Sequence, residues 1–442
     1  MATKTPRDVQ RIAEVTVDRY SVFTKTEKWC IISMVSYAAW FSTLSSFIYF
    51  PAVHLLSEQL AVSVDKINLT ITSYMAVATI APTLVGDAAD VLGRRPVYMI
   101  TLSLYVASNI AIALSKSYNA LLGLRGPLGP ILGGSLSYAA GWAWIFWFLS
   151  IAAGLCLIIM ILFLPETSRR IVRNRSIRPP KHLRIPVPKL LCHWRENDQV
   201  IRHKQRLPNP LKSLIILTRR DNAVIIFGCG LLYVVYTCIN ASLSVLFIDM
   251  YGLNQWQAGI IYLPFGIGGM VSTFFSGHLL DKAYRDARTK RGLSTDKAAG
   301  DDLDEFPIEK ARLSVVWIPM MVTTASVIAF GWTLNYHQHI AIPLSLQFIA
   351  GLCMQLDFSV YNTLLVDKNH RNPAAAQASS NIVRCTLAAV TVSFLQDLID
   401  ALGIGWTFTF MGGLCLIAIG LFLVDYQNGM RWRQSAIVLA EI

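Results

Sequence analysis

Apolar runs of about one membrane thickness recur along almost the whole chain, separated by short polar turns. A hydrocarbon core about 30 Å thick takes roughly 20 apolar residues of helix to cross. The runs predict spans at 29–50, 67–85, 96–114, 142–164, 223–248, 258–277, 312–334, 339–363, 376–398 and 404–425. Lipid offers no partner to backbone N–H and C=O groups, so runs of this length are read as helices that satisfy their own hydrogen bonds. The pattern predicts an all-α polytopic membrane protein with about 10 full spans.

The turns between these runs differ in charge. Arg94 and Arg95, the stretch Arg169–Arg220, the stretch Arg285–Arg291, the turn Lys368–Arg371 and the end with Arg431 and Arg433 are basic. The turns at 51–66, 251–257 and 335–339 are poor in Lys and Arg. Lys and Arg collect on the inner side of a membrane, so one alternating topology with both termini cytoplasmic satisfies every turn. That topology needs an even number of crossings between Leu114 and Trp142, where residues 119–138 supply one at most. A non-crossing or re-entrant element is expected there, since irregular backbone is tolerated at depth only where protein or a wet cavity covers it.

Composition agrees with the pattern: 54% of the 442 residues are hydrophobic and 15% charged, against about 25% charged in soluble domains. Residues 1–27 are polar and lack an apolar core or a small-residue cleavage site, so the first span is expected to direct insertion itself. Seven of the eight cysteines lie in or beside apolar runs and Cys192 lies in a basic loop. Their spacing suits neither a disulfide framework nor a metal site, and they are expected to be small apolar packing residues.

The net charge of +12 has one address. Arg169 to Asp221 holds fifteen Lys and Arg against Glu196, Asp198 and Asp221, a local excess equal to that of the whole chain. Pro179, Pro180, Pro186 and Pro188 make this stretch an extended linker, with attraction to anionic inner-leaflet lipid as a side effect. The alternative of a nucleic-acid-binding segment is disfavoured, and no nucleic-acid partner is expected. The organisation that follows is a cytoplasmic segment 1–27, an incomplete helical half 28–168, a basic linker 169–222, a second helical half 223–428 and a cytoplasmic tail 429–442. Gly86 to Asp90 and Gly277 to Asp281, the latter followed by Arg285, share a Gly-x-x-x-Asp spacing after the second span of each half. That repeat suggests two pseudo-symmetric halves.

Three motifs carry chemistry. Gly86, Asp87, Asp90, Gly93, Arg94 and Arg95 form a compressed acidic–glycine–basic turn. Gly86 and Gly93 permit close approach and a sharp turn; Asp90 can pair with Arg94 and face a helix N-terminus. Gly129, Pro130, Gly133 and Gly134 combine a helix-bending proline with glycines that admit a packed neighbour. Pro165-Glu166-Thr167-Ser168-Arg169 closes the fourth readable span.

The first motif resembles, position for position, the loop signature Gly-x-x-x-Asp-x-x-Gly-Arg-Arg of the major facilitator superfamily. The second is similar to the Gly-Pro-x-x-Gly-Gly core of proton-coupled drug antiporters, and the third to the end of the sixth helix in fungal drug and sugar carriers. With Asn362–Asp367, Ala374–Ser380, Asn381 and Arg384, the chain from about Val22 onward resembles the fungal twelve-span drug:proton antiporters. The resemblance implies a major facilitator fold, a cytoplasmic latch at Asp90 and Arg94 that closes against the helix beginning near Pro373, and a proton-tight seal at Pro130. It also implies that Arg125 opens a fourth helix as Arg-x-x-Gln-Gly and serves proton coupling. Here Arg125 runs directly into Gly126-Pro127-Leu128-Gly129. Two crossings, on the order of 40 residues, are therefore expected to be missing, through a skipped exon or faulty gene model rather than a selected ten-span design.

Ionisable residues inside spans are costly and mark functional candidates. Asp357 lies within an apolar run, where a desolvated carboxyl can carry a proton in its neutral form. Arg384 lies about two turns into the ninth span. Asn240, Asn381 and Gln347 are candidate ligand contacts or helix-packing groups, and Trp142, Trp144 and Trp147 an interfacial belt. No phosphate-binding loop, catalytic carboxylate pair, His cluster or nucleophile elbow occurs, so an enzyme and a bound cofactor are not expected. The expectation is a monomeric plasma-membrane transporter that uses the proton gradient to export small organic, often cationic or amphipathic, compounds. The alternatives are a non-transporting truncated product and a membrane sensor or partner protein.

Overall fold

A computed structural model describes residues 24–47, 79, 93–114, 143–167, 211–292, 306–369 and 373–441. The described residues form twelve helices. They are α1 Lys25–Phe47, α2 Arg94–Leu114, α3 Ala143–Phe163, α4 Leu211–Thr218, α5 Arg220–Tyr251, α6 Gln255–Ile260, α7 Leu263–Thr289, α8 Ile308–Leu313, α9 Trp317–Asn335, α10 Ala341–Lys368, α11 Pro373–Ser393 and α12 Leu395–Glu441. Among the described residues, six stretches are long and apolar enough to cross a membrane: Phe146–Phe163, Arg220–Tyr251, Trp256–Thr289, Trp317–Asn335, Ala341–Lys368 and Leu395–Ser435. Helix α11 has the length, about 31 Å at 1.5 Å per residue, but is interrupted by Gln377, Ser379, Ser380, Asn381, Arg384 and Thr386. The expected span at 67–85 lies outside the described residues.

The chain divides into two compact units, one of residues 1–39, 88–104 and 153–208 and the other of 40–87, 105–152 and 209–442. In the larger unit α5 packs on α11 and α12, α9 on α10 and α12, and α7 on α10. The α7–α10 approach is close enough to need glycine on both sides. A Cβ at Gly268 would strike the Phe348 carbonyl, and one at Gly351 the Phe265 carbonyl. Small residues that let helix backbones meet are the usual means of association in lipid, where no hydrophobic force draws helices together. Large apolar side chains such as Ile318 and Phe274, 78% and 72% exposed, point outward. Asn222, Asp357 and Asp425, each 0% exposed, lie inside. That inversion suits a lipid solvent.

Helix ends follow local rules. Gly252, with φ of +63°, closes α5 by donating its N–H to the Ile248 carbonyl, the left-handed cap that glycine adopts without strain. Asn254 opens α6 through a reciprocal capping box with Gln257. Helix α12 breaks at Gly403, with φ of +77°, and the Thr407 hydroxyl donates across the kink to the carbonyls of Leu398 and Gly403. Several boundaries differ from those expected. A separate short helix, α8, precedes the span expected at 312–334, and α7 continues twelve residues past Gly277 to Thr289.

Candidate functional site

Three polar constellations stand out in the described residues. In the smaller unit Glu166, 3% exposed, sits at the start of α2. Its Oε1 accepts from the Arg94 N–H at 3.0 Å and the Thr167 N–H at 2.9 Å, and its Oε2 from the Arg95 N–H at 3.2 Å. The Arg95 side chain is buried and donates Nη2 to the Ile161 carbonyl at 2.8 Å, with Glu166 as an electrostatic partner. Gly93 makes the turn with φ of +107°. A carboxylate therefore caps the positive end of α2 and joins two of the sequence motifs. Glu166→Ala strands these backbone donors and is expected to cost about 1–3 kcal/mol. The measurement is the Tm of purified protein, and an unchanged Tm would show that the cap contributes nothing.

In the larger unit a charged network is buried where α5, α8, α10 and α12 meet. Lys368 Nζ lies 2.8 Å from Asp425 Oδ1 and 3.7 Å from Glu309 Oε1, and it donates to the Asp221 carbonyl at 3.2 Å. Arg433 donates Nε to Glu309 Oε1 at 3.0 Å and Nη2 to the Phe306 carbonyl at 2.7 Å. Lys368 and Asp425 have side chains 0% exposed, and those of Glu309 and Arg433 are 1% and 2% exposed. Asn222 and Asn369 exchange amide hydrogen bonds beside them. Arg312 pairs with Asp367 at 3.0 Å and lies over the Tyr284 ring. The sequence offered Lys368 and Arg433 only as basic turn and tail residues. The interior signal was the carboxylates available to them, above all Glu309 just before a span.

The third constellation draws on α5, α10 and α11, with Phe265 from the start of α7. Arg384 is the eleventh residue past the start of α11, about 16 Å along it, deeper than the two turns expected. Its guanidinium stands 4.6 Å from the Tyr233 ring centroid and donates Nη2 to Asn381 Oδ1. Tyr233, Tyr236, Phe265 and Phe358 form a chain of ring contacts with centroids 5.5–6.3 Å apart. All six side chains are partly exposed. Asp357, one residue before Phe358, is 0% exposed, and neither carboxylate oxygen has a hydrogen-bond partner. Its electrostatic neighbours are Cys229, Cys353, Tyr361 and Cys415. Cys229 also neighbours Arg384, so the acid and the base border the same stretch of α5.

The structure thus groups Arg384 with Asn381 and sets Asp357 nearby without an ion-pair partner. It places Asn240 elsewhere: that side chain is buried and donates to the Tyr236 carbonyl at 2.7 Å, while its own backbone carbonyl accepts from the Tyr262 hydroxyl. Gln347 is buried with neither amide atom paired. Gly277 and Asp281 of the repeat lie within α7. Gly86, Asp87, Asp90, Arg125, Gly129, Pro130, Gly133 and Gly134 lie outside the described residues. The described cysteines are free, all but Cys30 buried, and no cluster of metal-ligating side chains occurs among the described residues.

The chain matches the Major Facilitator Superfamily model over residues 35–129 and 118–393. It is 31% identical to the MFS-type transporter R5 of a Phoma species, covering 99% of this chain and 91% of that protein. It is 29% identical to citrate exporter 1 of Aspergillus niger, covering 94% and 88%. The alignment with R5 spans 483 positions against 442 residues here, 41 more than this chain contains, so at least that many positions of the relative face gaps. Among solved structures, a bacterial homologue of the human lysosomal transporter Spinster, inward-facing and unoccupied, superposes with a TM-score of 0.61 at 10% identity, covering 93% of this chain and 99% of that one. At that identity the likeness concerns the fold.

Proposed function

The chain belongs to the major facilitator superfamily of membrane transporters, and we propose that it exports small organic compounds by coupling their movement to the proton gradient. In this mechanism two helical halves rock about a midplane site, and proton and cargo bias one two-state equilibrium. Asp357 is the proton carrier and the Arg384 cluster the cargo site. Asp90 with Arg94 is the latch that closes the cytoplasmic side, and Glu166 holds the start of its helix. The basic linker and the Lys368–Arg433 end face the cytoplasm, by the bias of Lys and Arg toward the inner face, and the plasma membrane is the expected address of a monomer.

The observation that carries the proposal is Asp357: a carboxyl 0% exposed in a membrane-spanning helix, with no hydrogen-bond partner on either oxygen. Burying an uncompensated charge costs several kcal/mol, and such groups mark ion pathways. A relative named for citrate export supports small organic cargo and the outward direction. The test is flux from proteoliposomes loaded with a panel of small organic compounds, with and without a pH gradient. Gradient-dependent flux that a protonophore abolishes is expected; flux indifferent to the protonophore would remove the coupling.

The gaps opposite the relatives favour a second reading, in which this chain is a non-transporting product of a transporter gene. The two stretches that match the family model meet at 118–129, around Arg125. Reading the transcript across Leu124–Arg125–Gly126 separates the two. An in-frame insertion of about two spans there assigns transport to the longer form.

A further inference from the structure

Arg384 presents a charge that no described side chain neutralises. Its side-chain hydrogen bonds run to Asn381 Oδ1 and to the Cys385 side chain, its aromatic contact is with Tyr233, and its Nε is buried without an acceptor. No described carboxylate lies within ion-pair distance, for the nearby acid, Asp357, has no partner of its own. Long basic side chains near helix ends escape by reaching to the membrane surface. From the middle of α11, about 16 Å from its start and about 14 Å from its end, the interface is farther than an arginine side chain spans. An uncompensated cation at that depth is expensive, and a permanent guanidinium cannot discard its proton. The position demands a counter-anion, and no described side chain supplies one.

The surroundings define what that anion would be. A guanidinium presents a planar fork of donors that matches a carboxylate bidentately. Beside it stand the rings of Tyr233, Tyr236, Phe265 and Phe358, partly exposed, with faces and edges that accept a flat or apolar body. Asn381 adds an amide Nδ2 that no described residue engages. A cationic ligand would meet the guanidinium's repulsion at the same place.

We propose that Arg384, Asn381 and the Tyr233–Tyr236–Phe358 aromatics form the recognition site for the carboxylate of a small organic anion. Resting on the transport function proposed above, the assignment reverses the cationic preference expected from sequence. Arg384 is the charge-recognition residue, Asn381 the second donor and the rings the wall against the organic body.

The test uses purified full-length protein and six probes in three pairs of opposite charge: benzoate, citrate and octanoate against benzylamine, spermidine and octylamine. Binding is read as ligand-dependent thermal stabilisation, and flux as counterflow in proteoliposomes. At least one carboxylate is expected to stabilise the wild type saturably while the amines do not. Arg384→Gln is expected to weaken that carboxylate by about 10- to 100-fold, the loss of a charge-assisted pair; Arg384→Lys is expected to retain part of the affinity. If Arg384→Gln fails to fold, Asn381→Ala, which keeps the charge, is expected to weaken the carboxylate about fivefold. Stabilisation by amines alone, by none of the probes, or by carboxylates equally in Arg384→Gln overturns the proposal. Arg384-dependent carboxylate binding without wild-type flux would support the site and overturn the transport function instead.

Discussion

Lys368→Met is expected to destabilise the larger unit by about 3–5 kcal/mol and to remove most folded protein from the membrane. The lysine stands between two buried carboxylates, 2.8 Å from Asp425 and 3.7 Å from Glu309, and also satisfies the backbone carbonyl of Asp221. Methionine fills much the same volume without charge. Asp425 would then be left with no cation in contact, in a site where its Oδ2 already lacks a partner. Glu309 would keep Arg433, at 3.0 Å. The asymmetry makes the effect dissectible. Pairing Lys368→Met with Asp425→Leu replaces a buried ion pair by apolar groups, a change that is often neutral, so the double variant is expected to recover most of the loss. Thermal unfolding of the single and double variants measures the coupling as a cycle. An unchanged Tm for Lys368→Met would show the pair to be energetically idle.

That network also shows where sequence reasoning stops. Apolar runs located the helices of the second half well, because a span must be long and uninterrupted to satisfy its backbone in lipid. The same logic assigns charges to turns and tails by default. It therefore placed Lys368 and Arg433 among surface charges that set orientation, whereas both are buried. Their partners Asp425 and Glu309 lie 57 and 124 residues away in the chain, a separation no local pattern encodes. Glu166 was legible as a motif residue, yet its role as the cap of α2 depends on a contact 72 residues back, at Arg94. Around Asp357 and Arg384 the individual groups were legible and their relations were not. Asp357 and Arg384 announce themselves as ionisable residues in apolar surroundings. That Arg384 lies against Tyr233 and that Asp357 stands without a partner follow only from how α5, α10 and α11 pack.

Asp357→Asn is expected to abolish concentrative transport while sparing exchange. The amide keeps the size and most of the polarity of the carboxyl but cannot bind and release a proton, so the variant separates cargo movement from proton movement. A gradient of two pH units stores about 2.7 kcal/mol per proton. At one proton per cargo molecule it sustains a concentration ratio of up to about 100-fold. Without a titrating group that ratio is expected to fall to about 1, a loss of the whole gradient-driven accumulation. Counterflow of labelled against unlabelled cargo needs no net proton movement, and it is expected to stay within a few-fold of wild type and to become flat with pH. The titratable and charged neighbours of Asp357 are Cys229, Cys353, Tyr361 and Cys415. Among these groups Asp357 is the one carboxyl. Asp357→Glu, one methylene longer, is expected to restore part of the accumulation if the proton is what matters. Because Cys229 borders both Asp357 and Arg384, a shift of α5 changes the surroundings of both residues together, the route by which the proposed proton and cargo sites are expected to be coupled. Accumulation by Asp357→Asn equal to that of wild type, at equal amounts of reconstituted protein, would move the proton site elsewhere in the chain.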